Sequence, residues 1–302
     1  MLVVAIVGPT ASGKSALAVQ VARRCGGEIV NTDSMQVYSG MDIGTAKPLE
    51  PEWQGVPHHL LSVWLPNHEL TVAEFQAAAR AAIVEVSGRG AIPIAVGGSG
   101  LYVSAVLDDL RFPGTDPVVR EALEAELAAL GSAALHARLA AVDPAAASAI
   151  LPSNGRRIVR ALEVIEITGE PFVATLPAPV GIFPTVRIGL DLARDVLDAR
   201  IEARVRQMWA DGFVAEVEGL LAAGLADGRT AARALGYSQV LDYLAGTLTS
   251  EQAQQATTDA TRKFARRQQR WFRRDERITW IAYDAPDAVE RVLSLVEAGT
   301  AT

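Results

Sequence analysis

Residues 8–15 read Gly-Pro-Thr-Ala-Ser-Gly-Lys-Ser, two glycines separated by four residues and followed at once by a Lys-Ser pair. That spacing makes an anion cradle. Gly8 and Gly13 let the backbone turn its N–H groups inward, and a helix starting at Lys14 leaves its first N–H groups without internal partners. Gly8, Pro9, Thr10, Ala11, Ser12, Gly13, Lys14 and Ser15 are therefore the candidate phosphate-binding segment. Lys14 reaches terminal phosphates as a point charge, and the Ser15 hydroxyl is the candidate ligand for a Mg2+ ion bridging phosphate oxygens. Kinases, ATPases and enzymes that release diphosphate all use such a loop, so it names the ligand and not the reaction.

A second stretch, NTDSMQVYSGMDIGTAKP at 31–48, carries a different chemistry. Asp33 falls at the carboxyl end of a strand candidate, where doubly wound folds open their ligand crevice. A carboxylate there suits three roles: holding a metal or a ribose hydroxyl, taking a proton from an incoming nucleophile, or capping a turn. Gln36 offers both a donor and an acceptor, which suits the edge of an adenine and equally an exposed loop.

Elements must bring these residues together. Apolar runs at Leu2–Val7, Glu28–Asn31, Ile92–Val96, Val186–Leu190 and Ile278–Tyr283 read as strands. Helical patterns at Lys14–Arg24 and Thr71–Val86 separate the first three, the arrangement of a parallel sheet wrapped by helices. From about residue 115 to 170 the chain is alanine-rich and helical, with Leu123, Leu127 and Leu130 at helix spacing and breaks at Gly131, Asp143-Pro144 and Pro152. The proline-rich loop Pro171–Pro184 leads back to a strand. The expected architecture is α/β, a P-loop-type parallel sheet built from residues 1–112 and 185–302, interrupted by a small all-helical insertion at 113–184.

Composition narrows the class. The chain has 302 residues, half of them hydrophobic, enough for a sizeable core. No apolar run approaches the length of a membrane span, and the reading is a cytoplasmic protein with no membrane partner. Cys25 is the single cysteine, so neither a disulfide within the chain nor a cysteine-rich metal site is available; packing at the end of the first helix is its expected role. The net charge of −7 argues against non-specific nucleic-acid binding, but residues 262–277 hold eight basic side chains against Asp275 and Glu276.

The motifs GPTASGKS, NTDSMQVYSGMDIGTAKP, VPHHLL (56–61), VGGSGLY (96–102), NGRRIVRALEVIEITG (154–169), RALGYSQ (233–239) and ARRQQRWFRR (265–274) resemble, in order, the signatures of the bacterial tRNA dimethylallyltransferases. The resemblance covers nearly the whole chain. It implies transfer of a dimethylallyl group from dimethylallyl diphosphate to the exocyclic N6 amine of the adenine beside the anticodon, with release of diphosphate. By the same match Asp33 is the general base, Arg233 and Lys14 stabilise the leaving diphosphate, and Ser99 stands near the substrate where threonine is usual. The residues from Thr10 to Ser15 contact the diphosphate. Contacts to the tRNA anticodon arm fall to Asp33, Ser34, Met35 and Gln36, to Arg156, Arg157 and Arg160, to Arg233, Gly236 and Tyr237, and to Arg266, Arg267, Gln268, Arg270, Trp271 and Arg273. Ser238 departs from the family pattern, which often has arginine, and Ser15 replaces a common threonine while keeping the hydroxyl. A monomer is expected.

Helical periodicity bears on the RNA contacts. Ile158, Leu162 and Ile165 share a face with Arg156 and Arg160 opposite, and in the last long helix Phe264 and Trp271 are expected to mark the buried side. Arg262, Arg266, Arg270, Arg273 and Arg277 then form a basic band, read as a track for an RNA backbone, the other reading being a solvated face. Arg200 and Arg204, one turn apart, suit either phosphates or surface pairs with Asp198 and Glu202. His58-His59 is read as part of the loop bordering the site, because adjacent residues without clustered Cys or acids make a poor zinc site. A small-molecule kinase, a nucleotide-dependent RNA-binding protein and an adenylate isopentenyltransferase acting on free nucleotides are the competing classes. Asp33, Gln36 and Arg233 together with the basic band separate the first reading from them.

Overall fold

Val3 to Val7 is apolar at every position and buried on both faces, the pattern of a central parallel strand. In the computed structural model, which describes residues 1–173, 178–228 and 230–300, this strand (β1) lies within a six-stranded, all-parallel sheet. It is followed by α1 (Lys14–Cys25), β2 (Gly27–Asn31), α2 (Glu50–Trp53), β3 (His58–His59), α3 (Val72–Gly88), β4 (Ile92–Gly97) and α4 (Gly100–Leu107). A helical stretch then comprises α5 (Pro117–Val142), α6 (Pro144–Ala149) and α7 (Gly155–Thr168). The chain returns through β5 (Thr185–Asp191), α8 (Arg194–Ala210), α9 (Phe213–Ala222), α10 (Tyr237–Leu244), α11 (Ser250–Phe272), β6 (Ile278–Ala282) and α12 (Ala288–Thr300).

The strand order is β3-β2-β4-β1-β5-β6. From β1 the chain crosses to β2 on one side, and from β4 to β5 on the other, so β1 and β4 are neighbours whose connections diverge. The crevice at their carboxyl ends is where an open α/β sheet binds its ligand. Register is fixed by Val4 against Ile94 and Val186, and by Ile29 against Ile94. One apolar layer packs Phe75, Ile83, Val103 and Phe213 on one face of the sheet; another packs Leu17, Val21, Ile201 and Val292 on the other.

β3 was not anticipated. Its two residues pair with Ile29 and Val30 at the sheet edge, too short a strand to leave a periodic trace. The expected strands otherwise differ from the observed ones by a residue at their ends, except that β5 also extends to Asp191.

The chain separates into two compact units, Met1–Asp108 with Gly181–Thr302, and Asp109–Val180. The helical unit starts and ends four residues before the expected 113–184, because Asp108 and Gly181 form a bridge that still belongs to the sheet unit. Residues 174–177 of the proline-rich loop lie outside the described residues. Within the helical unit Asp116 caps α5, Asp143 caps α6 ahead of Pro144, and Asn154 caps α7. Gly131 takes φ 81° and kinks α5, so Leu123, Leu135 and Leu139 turn into the core with Ile158 and Leu162. Leu130, expected on the buried stripe, is 62% exposed because it sits at that kink. Glu163 is fully buried, accepting from Arg120 at 2.5 Å and Arg160 at 2.8 Å.

Candidate active site

Three strand ends converge at the crevice. β1 delivers the loop 8–15, in which Ala11 takes a left-handed φ of 64° and Gly13 one of 97°. An alanine is uncommon in that region, and its carbonyl accepts from Arg200. α1 begins at Lys14 with no side-chain cap, so its first-turn N–H groups stay available to an anion.

β2 ends at Asn31, and the residues beyond it are tightly fixed. Asn31 accepts from the Asp33 N–H at 2.9 Å and donates to the carbonyls of Asp33 and Leu60. Asp33 in turn accepts from the Met35 N–H at 2.9 Å, which orients the carboxylate while leaving it at the pocket wall. Asn31 is a positioning group that the sequence reading passed over, although an amide two residues before a strand-end acid is a recognisable turn former.

β4 ends in Gly97, Gly98, Ser99 and Gly100, where backbone must pass between close neighbours. A Cβ on Gly97 would fall 2.3 Å from the Thr32 hydroxyl, on Gly98 2.5 Å from the Gln268 amide, and on Gly100 2.3 Å from the Trp271 ring. Only glycine fits these approaches. The Ser99 hydroxyl lies 3.2 Å from that of Ser34, joining this turn to the segment after β2.

The resulting pocket is lined by Lys14, Ser15, Asp33 and Gln36, together with Pro48 and His58. The cation and hydroxyl of the loop thus share one pocket with the Asp33 carboxylate and the Gln36 amide. Burial lowers the Lys14 pKa to about 8, with the Asp33 charge opposing and Arg204 adding to the shift. The Gln36 amide nitrogen donates to the carbonyls of Thr45 and Ala46, both at 3.1 Å, so Gln36 is held by its own loop and presents its oxygen as the remaining recognition group.

Arg200 and Arg204 face the loop, which the sequence left open. Arg200 donates to the Ala11 carbonyl at 2.7 Å, and Arg204 approaches the Thr10 hydroxyl at 3.4 Å. Burial, and then Arg200, lowers the Arg204 pKa. Arg233 is placed differently: it is exposed on a short 3-10 turn, Ala231–Arg233, and does not line the pocket. The guanidinium groups delivered to the phosphate loop are therefore those of α8.

Several expected RNA contacts are committed to the fold. Tyr237 is fully buried and donates to Glu216 at 2.6 Å; burial, followed by the Glu216 charge, raises its pKa. Gly236 is buried at the start of α10 with φ 88°. Gln268 is 4% exposed, and Trp271 packs on Gly100. Thr10 also changes role, since its N–H donates to Gln268 at 2.9 Å rather than standing open to an anion. Met35 packs against the core. In the helical unit Arg160 is held by the carbonyls of Pro113 and Gly114 and by Glu163, whereas Arg156 and Arg157 are exposed.

α11 corrects the helical face. Ala253, Thr257, Ala265, Gln268 and Phe272 are buried, while Phe264 and Trp271 are only partly so. Small and amide side chains let the helix lie close to α4, α8 and α10, and that choice hides the face from a hydrophobicity count. The basic band is also narrower than expected. Arg262 pairs with Glu202 at 2.8 Å, and Arg277 lies beyond the helix, bound to Asp108 and Asp275. Lys263, Arg266, Arg267, Arg270, Arg273 and Arg274 remain around one open groove that Asp191 also lines, with Arg266 at 3.9 Å from Asp198 as well. Arg273 pairs with Asp191 and lies 4.0 Å over the Trp280 ring.

The histidines serve the structure. His58 stacks on Trp53 with centroids 4.8 Å apart, and His59 bonds Glu28 at 2.6 Å. Glu216, which no motif singled out, accepts from the N–H groups of Asp42, Ile43 and Gly44 and so pins the loop that holds Gln36.

A phosphate loop at the switch point of an all-parallel sheet, with a fixed carboxylate beside it, defines a P-loop-like α/β protein. The model of the family described as IPP transferase matches residues 36–275. The chain belongs to that family. A tRNA dimethylallyltransferase of Thermobifida fusca (strain YX) is 60% identical over 299 residues, covering 97% of this chain and 94% of the relative. Among solved structures, the full-length tRNA isopentenylpyrophosphate transferase of Bacillus halodurans shares 41% identity and a TM-score of 0.73, over 99% of this chain and 96% of that one. A eukaryotic dimethylallyltransferase acting on tRNA shares 25% identity with a TM-score of 0.82, over 99% of this chain and 79% of that one. Among the described residues no helix is long and apolar enough to cross a membrane.

Proposed function

We propose that the protein transfers a dimethylallyl group from dimethylallyl diphosphate to the N6 amine of the adenine beside the anticodon of tRNA. The observation that carries this is Asp33 in one pocket with Lys14 and Ser15. The N6 lone pair is delocalised into the purine ring, so the amine is a weak nucleophile unless its proton leaves as the new bond forms. Asp33 takes that proton while N6 bonds to the allylic C1 and the C1–oxygen bond to diphosphate breaks. Charge grows on the departing diphosphate, where Lys14, the first-turn N–H groups of α1 and the arginines of α8 stabilise it. Ser15 presents a hard oxygen donor of the kind Mg2+ accepts, and with diphosphate oxygens it would hold the ion that neutralises part of that charge.

The adenine must leave its stack to reach the pocket, because N6 of a stacked base cannot approach a buried loop. The oxygen of Gln36 is an acceptor for an adenine N–H, and the basic groove of α11 supplies phosphate contacts. Dimethylallyl diphosphate and unmodified tRNA transcript incubated with the protein should yield N6-prenyladenosine by nucleoside mass spectrometry. Prenylation of free adenosine monophosphate with none on tRNA would refute the tRNA assignment, and phosphate release from ATP without prenyl transfer would refute the reaction.

A further inference from the structure

Gln268 is a polar side chain on the inner face of α11, 4% exposed, at a position where helix packing alone calls for an apolar residue. Its amide is engaged at both ends. The oxygen accepts from the Thr10 N–H at 2.9 Å, and the nitrogen donates to the Gly98 carbonyl at 2.8 Å. Only this orientation of the amide satisfies both partners. A residue 258 positions away in sequence thus joins the phosphate loop to the turn after β4.

Those two segments carry opposite halves of the reaction site. The phosphate loop continues into Lys14 and Ser15, and the β4 turn continues into Ser99, whose hydroxyl meets Ser34 beside Asp33. The spacing between leaving-group cradle and base is therefore set partly by one side-chain amide. The glycine at 98 keeps room for it, since a Cβ there would fall 2.5 Å from the amide nitrogen. Trp271, one turn further along α11, packs on Gly100 and makes a second attachment to the same turn.

We propose that Gln268 is a positioning residue for group transfer, fixing the phosphate loop against the β4 turn so that diphosphate and Asp33 are held at reacting distance. Misplacement of reacting groups by a fraction of an ångström lowers the chemical step more than it lowers binding. This proposal rests on the prenyl-transfer reading of the pocket.

The test uses the full chain with dimethylallyl diphosphate, tRNA transcript and, for equilibrium binding, inorganic diphosphate with Mg2+. Gln268→Met keeps the length of the side chain but neither bond. Its kcat should fall by about tenfold or more, with KM for tRNA within about threefold of wild type and a smaller loss of diphosphate affinity. Gln268→Glu retains the acceptor for Thr10 and regains a donor for Gly98 only when protonated. Its kcat relative to wild type should therefore rise as pH falls, while the ratio for Gln268→Met stays flat. If Gln268→Met does not fold, the pH ratio of Gln268→Glu decides alone. A kcat within twofold of wild type for Gln268→Met, a loss of kcat matched by equal loss of diphosphate affinity, or a flat ratio for Gln268→Glu overturns the proposal. Wild-type protein that binds inorganic diphosphate but transfers nothing to tRNA overturns the underlying reading instead.

Discussion

Replacing Asp33 by asparagine separates its chemical role from its structural one. The Met35 N–H bond at 2.9 Å is available to an asparagine oxygen, and Asn31 still accepts from the backbone of residue 33, so the turn should persist. What disappears is the proton acceptor. Loss of a general base costs about two to four orders of magnitude in turnover, or about 3–5 kcal/mol in barrier height. The electrostatics supply a second readout. The Asp33 charge raises the Lys14 pKa against the effect of burial, so Asp33→Asn should lower it further below about 8. A bound polyanion favours the charged form of Lys14 in both proteins, and one anion beside the ligand has gone, so inorganic diphosphate should bind the variant at least as well as wild type. Single-turnover prenyl transfer at saturating tRNA and a binding titration with Mg2+ and diphosphate measure the two effects. Turnover within a few-fold of wild type would refute the base assignment. A large loss of diphosphate affinity at pH 7 would make Asp33 a metal ligand before anything else.

Other outcomes follow from particular contacts. Because burial holds Lys14 near a pKa of 8 and a bound polyanion favours its charged form, diphosphate binding should take up a proton above pH 8 and weaken as pH rises; calorimetry in buffers of different ionisation enthalpy would show no uptake if the reasoning fails. Glu216→Ala strands three backbone N–H groups and the Tyr237 hydroxyl and should destabilise the sheet unit by about 2–4 kcal/mol in a urea titration, with Tyr237→Phe costing less. Burial would raise the pKa of Glu163, but Arg120 and Arg160 outweigh it and hold the carboxyl below its usual range. Its contribution is therefore present above the unfolded-state value and lost as pH falls through the folded one; Glu163→Ala should cost about 3–5 kcal/mol and remove that acid-side loss, read by hydrogen exchange in α5 and α7. Replacing Arg267, Arg270 and Arg274 together with alanine should weaken tRNA binding and reduce its salt slope by about 0.7–0.9 per lost phosphate contact, with diphosphate affinity unchanged; an unaltered slope would assign the groove to solvent.

The sequence by itself determined the phosphate loop, the alternation of strands and helices, and the helical insertion, because these depend on local spacing: glycines that permit a turn, runs buried on both faces, and capping residues before prolines. It also placed Asp33 at a strand end, where an open α/β sheet puts its ligands. Tertiary structure decided what each polar group faces. Arg200 and Arg204 were ambiguous on a helix wheel, since α8 offers Asp198 and Glu202 as near neighbours, and only packing turned them to the loop. Arg277 and Arg160 read as RNA contacts, but Asp108, 169 residues away, holds the first, and the carbonyls of Pro113 and Gly114, 47 and 46 residues away, hold the second. Glu216 had no motif and Gln268 lay in one that pointed to RNA, because the partners of each are backbone groups 170 or more residues away. Local propensity selects the elements, but a hydrogen bond between remote segments is specified only once the chain has closed on itself.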